Sequence, residues 1–205
     1  MHRPPAQSFV YSLLRISAQL VGVTFYRLRV EGREHWPTNT GGLVCSNHQS
    51  FFDPPLIGMT CSRQMSYLAR DTLFKVPILK QVMTFLDVIP IDREGSGLSG
   101  LKETLKRLRA GELVLIFPEG TRSRTSELLP FKKGGFIMAI KAQAPIVPVA
   151  ISGGRDAMRK GSWFVRPVMC RIRIGEPIPT AGLAVDDRDR LIELVRTRIE
   201  SLLRS

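Results

Sequence analysis

Gly42-Leu43-Val44-Cys45-Ser46-Asn47-His48-Gln49-Ser50-Phe51-Phe52-Asp53-Pro54-Pro55 changes character twice in a short space. Leu43 to Cys45, after Gly41 and Gly42, has the pattern of a buried strand, and Asp53 before Pro54 is a helix-start signal with Pro at the first helical position. His48 therefore falls at a strand end. On one continuous helix, residues five apart would point away from each other, because each step turns by about 100°. A strand, a tight turn and a helix N-terminus bring the chain back, so the Asp53 carboxylate can approach one imidazole nitrogen of His48 and leave the other free. That is the orienter-and-base half of a catalytic triad. Two simpler readings stand beside it: an Asp before Pro-Pro as an N-cap, and a lone His as a hydrogen-bonded structural residue.

Outward from this stretch the same passage from strand to helix recurs. Leu28 to Gly32 alternates like an edge strand. Met65 to Ala69, Val88 to Ile91, Leu113 to Phe117, Ile146 to Ile151 and Met169 to Ile174 read as further strands. Between them, Pro54 to Thr60, Leu73 to Leu86 and Phe136 to Ala142 read as helices. Leu98, Leu101, Leu105 and Leu108 make one helix face, and Leu191, Leu194, Val195, Ile199 and Leu202 give the core side of a terminal helix. The alternation predicts a single α/β domain over 28–205, its mostly parallel sheet flanked by helices and its functional loops at the carboxyl ends of the strands.

Composition narrows the partners. Thirty Lys and Arg against eighteen Asp and Glu give a net charge of +12, which favours nucleic acid, acidic lipid surfaces or phosphorylated substrates. Only 7% of the chain is aromatic and no recognition-helix, zinc-finger or RNA-binding signature accompanies the charge, so lipid or phosphate is expected and nucleic acid is not. The three cysteines, Cys45, Cys61 and Cys170, have no paired spacing and read as reduced core thiols, without a metal site.

Residues 1–27 form a separate unit in this reading. A helix from Ser8 to Tyr26 would be about 28 Å long. Ser8, Ser12, Arg15 and Gln19 recur as a polar stripe, opposite Phe9, Leu13, Leu20 and Phe25. This fits an amphipathic helix lying on a membrane better than a spanning one, with Arg3, Arg15, Arg27 and Arg29 adding positive charge. Arg15 interrupts the apolar run, which argues against a signal peptide. A helix that packs on the domain itself is the alternative.

Asn47 to Asp53 resembles the NHxSxxD block of the glycerolipid acyltransferases, the lysophosphatidic acid acyltransferase family. Val88-Ile89-Pro90-Ile91-Asp92-Arg93, Phe117-Pro118-Glu119-Gly120-Thr121-Arg122-Ser123 and Ile146-Val147-Pro148-Val149-Ala150 resemble its other three blocks in order and spacing. The resemblance covers about residues 30 to 180. Two departures, Pro90 where an aromatic is common and Ser126 where a Gly often follows, bear on the acceptor.

The resemblance implies that His48 and Asp53 are catalytic and that Asn47, Ser50, Arg93, Glu119, Gly120, Thr121, Arg122 and Pro148 serve substrate binding. Arg93, Glu119 and Arg122 would meet the glycerol phosphate, and Pro148 would shape the acyl-donor site. From the residues alone, Arg93 could equally pair with Asp92 or Glu94, and Pro148 could be a sheet-edge or bulge proline. The third block reads as a phosphate cradle, with Arg122, Arg124, Lys132 and Lys133 around its glycines, or as a polar turn.

The implied reaction is acyl transfer from acyl-CoA or acyl carrier protein to the sn-2 hydroxyl of lysophosphatidate, with no other cofactor, by a peripheral or monotopic protein on the cytoplasmic face of the cell membrane. His48 would deprotonate the alcohol, and no protein nucleophile is needed. Ser50 lies close to His48, but no G-x-S-x-G elbow surrounds it. Alternatives are an acyltransferase for another lysolipid, such as a lyso-ornithine lipid or a lysophospholipid, and a non-catalytic module that holds acidic lipid.

Overall fold

Leu43, Val44 and Cys45 are wholly buried. A strand covered on both faces needs an unbroken apolar run, and this one is the middle strand of a seven-stranded sheet. The structure, a computed structural model, describes residues 27–75, 77–85, 88–92, 97–123, 125, 127–154 and 168–205. The helix expected over Ser8 to Tyr26, Arg93 and Arg124 lie outside the described residues.

In chain order the strands are β1 (Arg29–Glu31), β2 (Gly42–Ser46), β3 (Met65–Arg70), β4 (Ile89–Ile91), β5 (Leu113–Ile116), β6 (Ile146–Ser152) and β7 (Arg171–Ile174). The helices are α1 (Asp53–Gly58), α2 (Pro77–Phe85), α3 (Leu98–Arg109), α4 (Gly134–Ala142) and α5 (Arg188–Arg204). The sheet order is β1-β7-β6-β2-β5-β3-β4. Neighbours run parallel except β6 and β7. The α/β expectation and the predicted strands hold, with ends shifted by a residue or two.

Side chains alternate between two apolar layers. Val44, Leu115, Val147, Val149 and Ile151 pack with Leu56 and Ile57 of α1 and with Trp36. Leu43, Cys45, Val114, Ile116 and Ala150 face the other way, onto Leu108 of α3, Phe136 and Ile140 of α4, and Leu191, Val195 and Ile199 of α5. Gly135 lets α4 approach, since a Cβ there would come 2.5 Å from Ile116 Cδ1. All three cysteines are buried as reduced thiols, and burial pushes the Cys45 thiol far up.

β2 is also where the winding of the sheet changes direction. The chain leaves β2 toward β3 on one side and leaves β5, the adjacent strand, toward β6 on the other. The carboxyl ends of β2 and β5 therefore border a crevice at a topological switch point, the place where open α/β sheets bind ligands.

Four expectations need correction. Leu194 is 47% exposed: it lies about 100° from the centre of the stripe that Leu191, Val195 and Ile199 bury. Leu98 is 56% exposed, at the first residue of α3. The helix expected over Leu73 to Leu86 is two elements, a 3-10 turn Asp71–Lys75 and then α2. Pro77 has no N–H to give back to the preceding turn and begins a new helix instead. Pro148 is buried in an interior strand, not at an edge. The register Val149↔Ile174 sets it opposite Gly175, where β7 has just ended, and its carbonyl accepts the Gly175 N–H at 2.8 Å. Pro90, by contrast, sits in the edge strand β4, where a missing donor is tolerated. Among the described residues, no helix is long and apolar enough to cross a membrane.

These packing assignments separate two variants. Phe136 is fully buried, so Phe136→Ala should destabilise the protein by about 3–5 kcal/mol in denaturant unfolding. Leu194→Ser should change stability by no more than about 0.5 kcal/mol.

Candidate active site

After Ser46 the chain doubles back into α1 through a tight turn, with the Asp53 N–H donated to the Ser50 carbonyl at 3.3 Å. The reversal places His48 Nδ1 2.8 Å from Asp53 Oδ2. The same oxygen accepts the Gln49 N–H at 2.6 Å and the Ser50 N–H at 2.7 Å. Asp53 is the first residue of α1; Phe52 is the N-cap, and no side chain caps the helix. The capping alternative therefore gives way, because the carboxylate folds back onto the turn before it and not onto the helix after it.

With Oδ2 as acceptor, Nδ1 carries the hydrogen and Nε2 presents a lone pair. Asp53 is fully buried, whereas His48 keeps 18% of its side chain exposed, so the pair meets solvent only through the imidazole. The ring stacks on Phe117, centroids 4.0 Å apart and planes 21° from parallel. Stacking fixes the ring plane that the carboxylate has aimed.

The third block grips His48 by its backbone. Glu119 Oε1 accepts the His48 N–H at 2.9 Å, and the His48 carbonyl accepts the Ser123 N–H at 2.8 Å. Glu119 Oε2 accepts the Leu129 N–H at 3.0 Å. Burial raises the Glu119 carboxyl above its ordinary value, against the opposing pull of the Leu129 and His48 donors and the charges of His48 and Arg196.

Three residues expected to meet substrate are instead used internally. Asn47 Oδ1 accepts the Ile151 N–H at 2.8 Å and its Nδ2 donates to the Ile151 carbonyl at 2.9 Å, which ties the end of β2 to β6. Ser50 is 1% exposed and its Oγ accepts the Phe52 N–H at 3.3 Å. Glu119, 5% exposed, has both oxygens on backbone donors. All three brace the turn that carries His48.

The cations around the third block divide. Lys133 leaves it for Asp189 of α5, 2.9 Å away, and this hydrogen bond holds the Asp189 carboxyl below its ordinary value. Lys132 stays and lies along Gly120, where φ is 73° and a Cβ would come 2.7 Å from Lys132 Cε. Thr121 is exposed. The half-buried Arg122 rests its guanidinium 3.7 Å from the centroid of the Phe51 ring. The site thus joins an oriented base to a rim with two cations, Arg122 and Lys132, suited to an anionic molecule with a hydroxyl to deprotonate. Among the described residues, no group of His, Cys, Asp and Glu is placed to hold a metal.

The sequence reading missed Phe117, Phe51, and the backbones of Ile151 and Leu129. The two rings lie inside the quoted blocks but carry no pattern that announces stacking. The backbone partners answer buried polar groups, and only a folded chain shows which carbonyl or N–H is near.

Known proteins resemble this chain in both sequence and fold. The sequence profile of the acyltransferase family matches residues 27–152. Human 1-acyl-sn-glycerol-3-phosphate acyltransferase alpha is 34% identical over 87% of this chain, which spans 64% of the human protein's length. The 1-acyl-sn-glycerol-3-phosphate acyltransferase of Bacillus subtilis strain 168 is 32% identical over 85% of this chain and 87% of its own. The crystal structure of the 1-acyl-sn-glycerophosphate acyltransferase PlsC from Thermotoga maritima superposes with a TM-score of 0.82 at 26% identity, covering 100% of this chain and 84% of that one.

The internal role of Asn47 has a measurable consequence. Asn47→Ala strands a buried N–H and a buried carbonyl, and should lower stability by about 1–3 kcal/mol for each group left without a partner. Denaturant unfolding of the variant beside the parent chain gives this loss directly.

Proposed function

This chain belongs to the acyltransferase family, and we propose that it is a 1-acyl-sn-glycerol-3-phosphate acyltransferase, making phosphatidate from lysophosphatidate and an acyl thioester. The observation that carries this reading is the 2.8 Å pair of His48 Nδ1 and Asp53 Oδ2, in which the carboxylate is fully buried and the imidazole keeps part of its surface in solvent. The sn-2 hydroxyl approaches Nε2 and passes its proton there as its oxygen attacks the thioester carbonyl carbon. Asp53 stabilises the imidazolium formed. Collapse of the tetrahedral intermediate breaks the carbon–sulfur bond, and the imidazolium returns the proton to the departing thiolate. No acyl-enzyme forms: the buried Ser50 Oγ accepts a backbone N–H and presents no nucleophile. The step calls for no metal or redox cofactor.

Arg122 and Lys132 meet the acceptor's phosphate in this reading, and Arg93 joins them. The donor is acyl-CoA or acyl carrier protein. Acceptor and product are membrane lipids, so the enzyme works at a bilayer surface on its cytoplasmic face. The +12 net charge and the amphipathic pattern of Ser8 to Tyr26 support docking on anionic lipid.

Purified chain, lysophosphatidate and acyl-CoA or acyl carrier protein should give phosphatidate by mass spectrometry. His48→Ala should reduce turnover by roughly 10²–10⁴-fold or more, and Asp53→Asn nearly as far, with circular dichroism unchanged. Near-parental turnover by His48→Ala would end this reading.

A further inference from the structure

We infer that Phe51 is a positioning residue: its exposed ring is the platform that holds the Arg122 guanidinium flat and turns its N–H edges toward the acceptor's phosphate. The inference rests on the reading above that Arg122 meets that phosphate, and it adds the group that aims it.

Phe51 is 56% exposed, in a turn whose neighbours Ser50 and Asp53 are buried. Its ring is not idle, because Arg122 Cζ sits 3.7 Å from the ring centroid, the contact distance of a guanidinium lying on an aromatic face. Among the described residues no carboxylate or carbonyl engages the Arg122 guanidinium. Stacking uses the face of that planar group and leaves its in-plane donors free, and those donors are the ones that clasp a phosphate by two bonds at once. An arginine already ordered on a ring loses less freedom when its ligand arrives.

Both ends of the stack are fastened to the His48–Asp53 pair. The Ser50 N–H, next to Phe51, binds Asp53 Oδ2 at 2.7 Å. The Ser123 N–H, next to Arg122, binds the His48 carbonyl at 2.8 Å. The ring therefore sets the distance between the anchored phosphate and the hydroxyl to be deprotonated. A separate role for an exposed aromatic is insertion into a bilayer, and the experiment is arranged to tell the two apart.

Phe51→Leu, Phe51→Trp, Arg122→Ala and the Phe51→Leu/Arg122→Ala double variant of the full chain are assayed with a short-chain, fully soluble lysophosphatidate and with the long-chain acceptor in anionic vesicles. On the soluble acceptor Phe51→Leu should raise the acceptor KM by about three- to thirty-fold and leave the donor KM unchanged. Phe51→Trp should restore most of the loss, since it keeps the aromatic face. The leucine change should add little to Arg122→Ala, because the platform has nothing left to hold. A Phe51→Leu effect seen only on vesicles makes the ring a bilayer contact and overturns the proposal. Fully additive losses in the double variant overturn it too. An unchanged acceptor KM in Arg122→Ala removes the phosphate reading itself, and this inference with it, a result distinct from a Phe51 failure alone.

Discussion

One carboxylate oxygen gathers the turn on which the site depends. Asp53 Oδ2 accepts N–H groups from His48, Gln49 and Ser50 at 2.8, 2.6 and 2.7 Å, all from the residues just before it in the chain. Two of those donors are backbone groups that the reversal out of β2 would otherwise leave unpaired beside a fully buried side chain. The carboxylate that orients the imidazole is thus the same group that makes the turn possible. A single residue serves geometry and chemistry because the donors to be satisfied and the ring to be aimed lie on one short arc.

The sheet brings the second half of the site to the first. His48 and Glu119 are 71 residues apart, yet β2 and β5 are parallel neighbours in the register Cys45↔Ile116, so the loops leaving them emerge side by side. Glu119 then joins His48 to Leu129, and Asn47 joins β2 to β6 through Ile151. Buried polar side chains hold the backbone around His48 from both flanks, while the face open to solvent carries Arg122, Lys132 and Thr121. Rigid below and charged above, the arrangement follows from which side chains reach backbone groups and which do not.

Much of this was legible in the residues. The unbroken apolar runs at Leu43–Cys45, Leu113–Ile116 and Ile146–Ile151 announce buried parallel strands, and the His48 to Asp53 spacing announces a reversal. Illegible was the division of labour inside the blocks. Asn47, Ser50 and Glu119 look like ligand-binding groups because they are polar and sit among reactive residues. Their partners lie on the backbones of Ile151, Phe52, Leu129 and His48, and two of these pairings, Asn47 with Ile151 and Glu119 with His48, join residues distant in the chain. The sorting of Lys132 from Lys133 was equally hidden, since it depends on Asp189 arriving from α5. Leu194 misled for a simpler reason: helical spacing locates a stripe, but the neighbouring layer decides how wide it is.

The sulfur chemistry of the chain follows from where its cysteines lie. Cys45 is three residues from the proposed base, close enough in sequence to suggest a competing nucleophile for any thioester brought to His48. It points into the layer beneath the sheet with no exposed surface, among Val114, Ile116 and Phe136. Burial holds it as the thiol, and only the thiolate exchanges acyl groups with a thioester. Cys61 and Cys170 are buried as well, so none of the three offers a sulfur on which an acyl group could be stranded. The same seclusion should make catalysis indifferent to alkylating reagents and mild oxidants while the fold is intact.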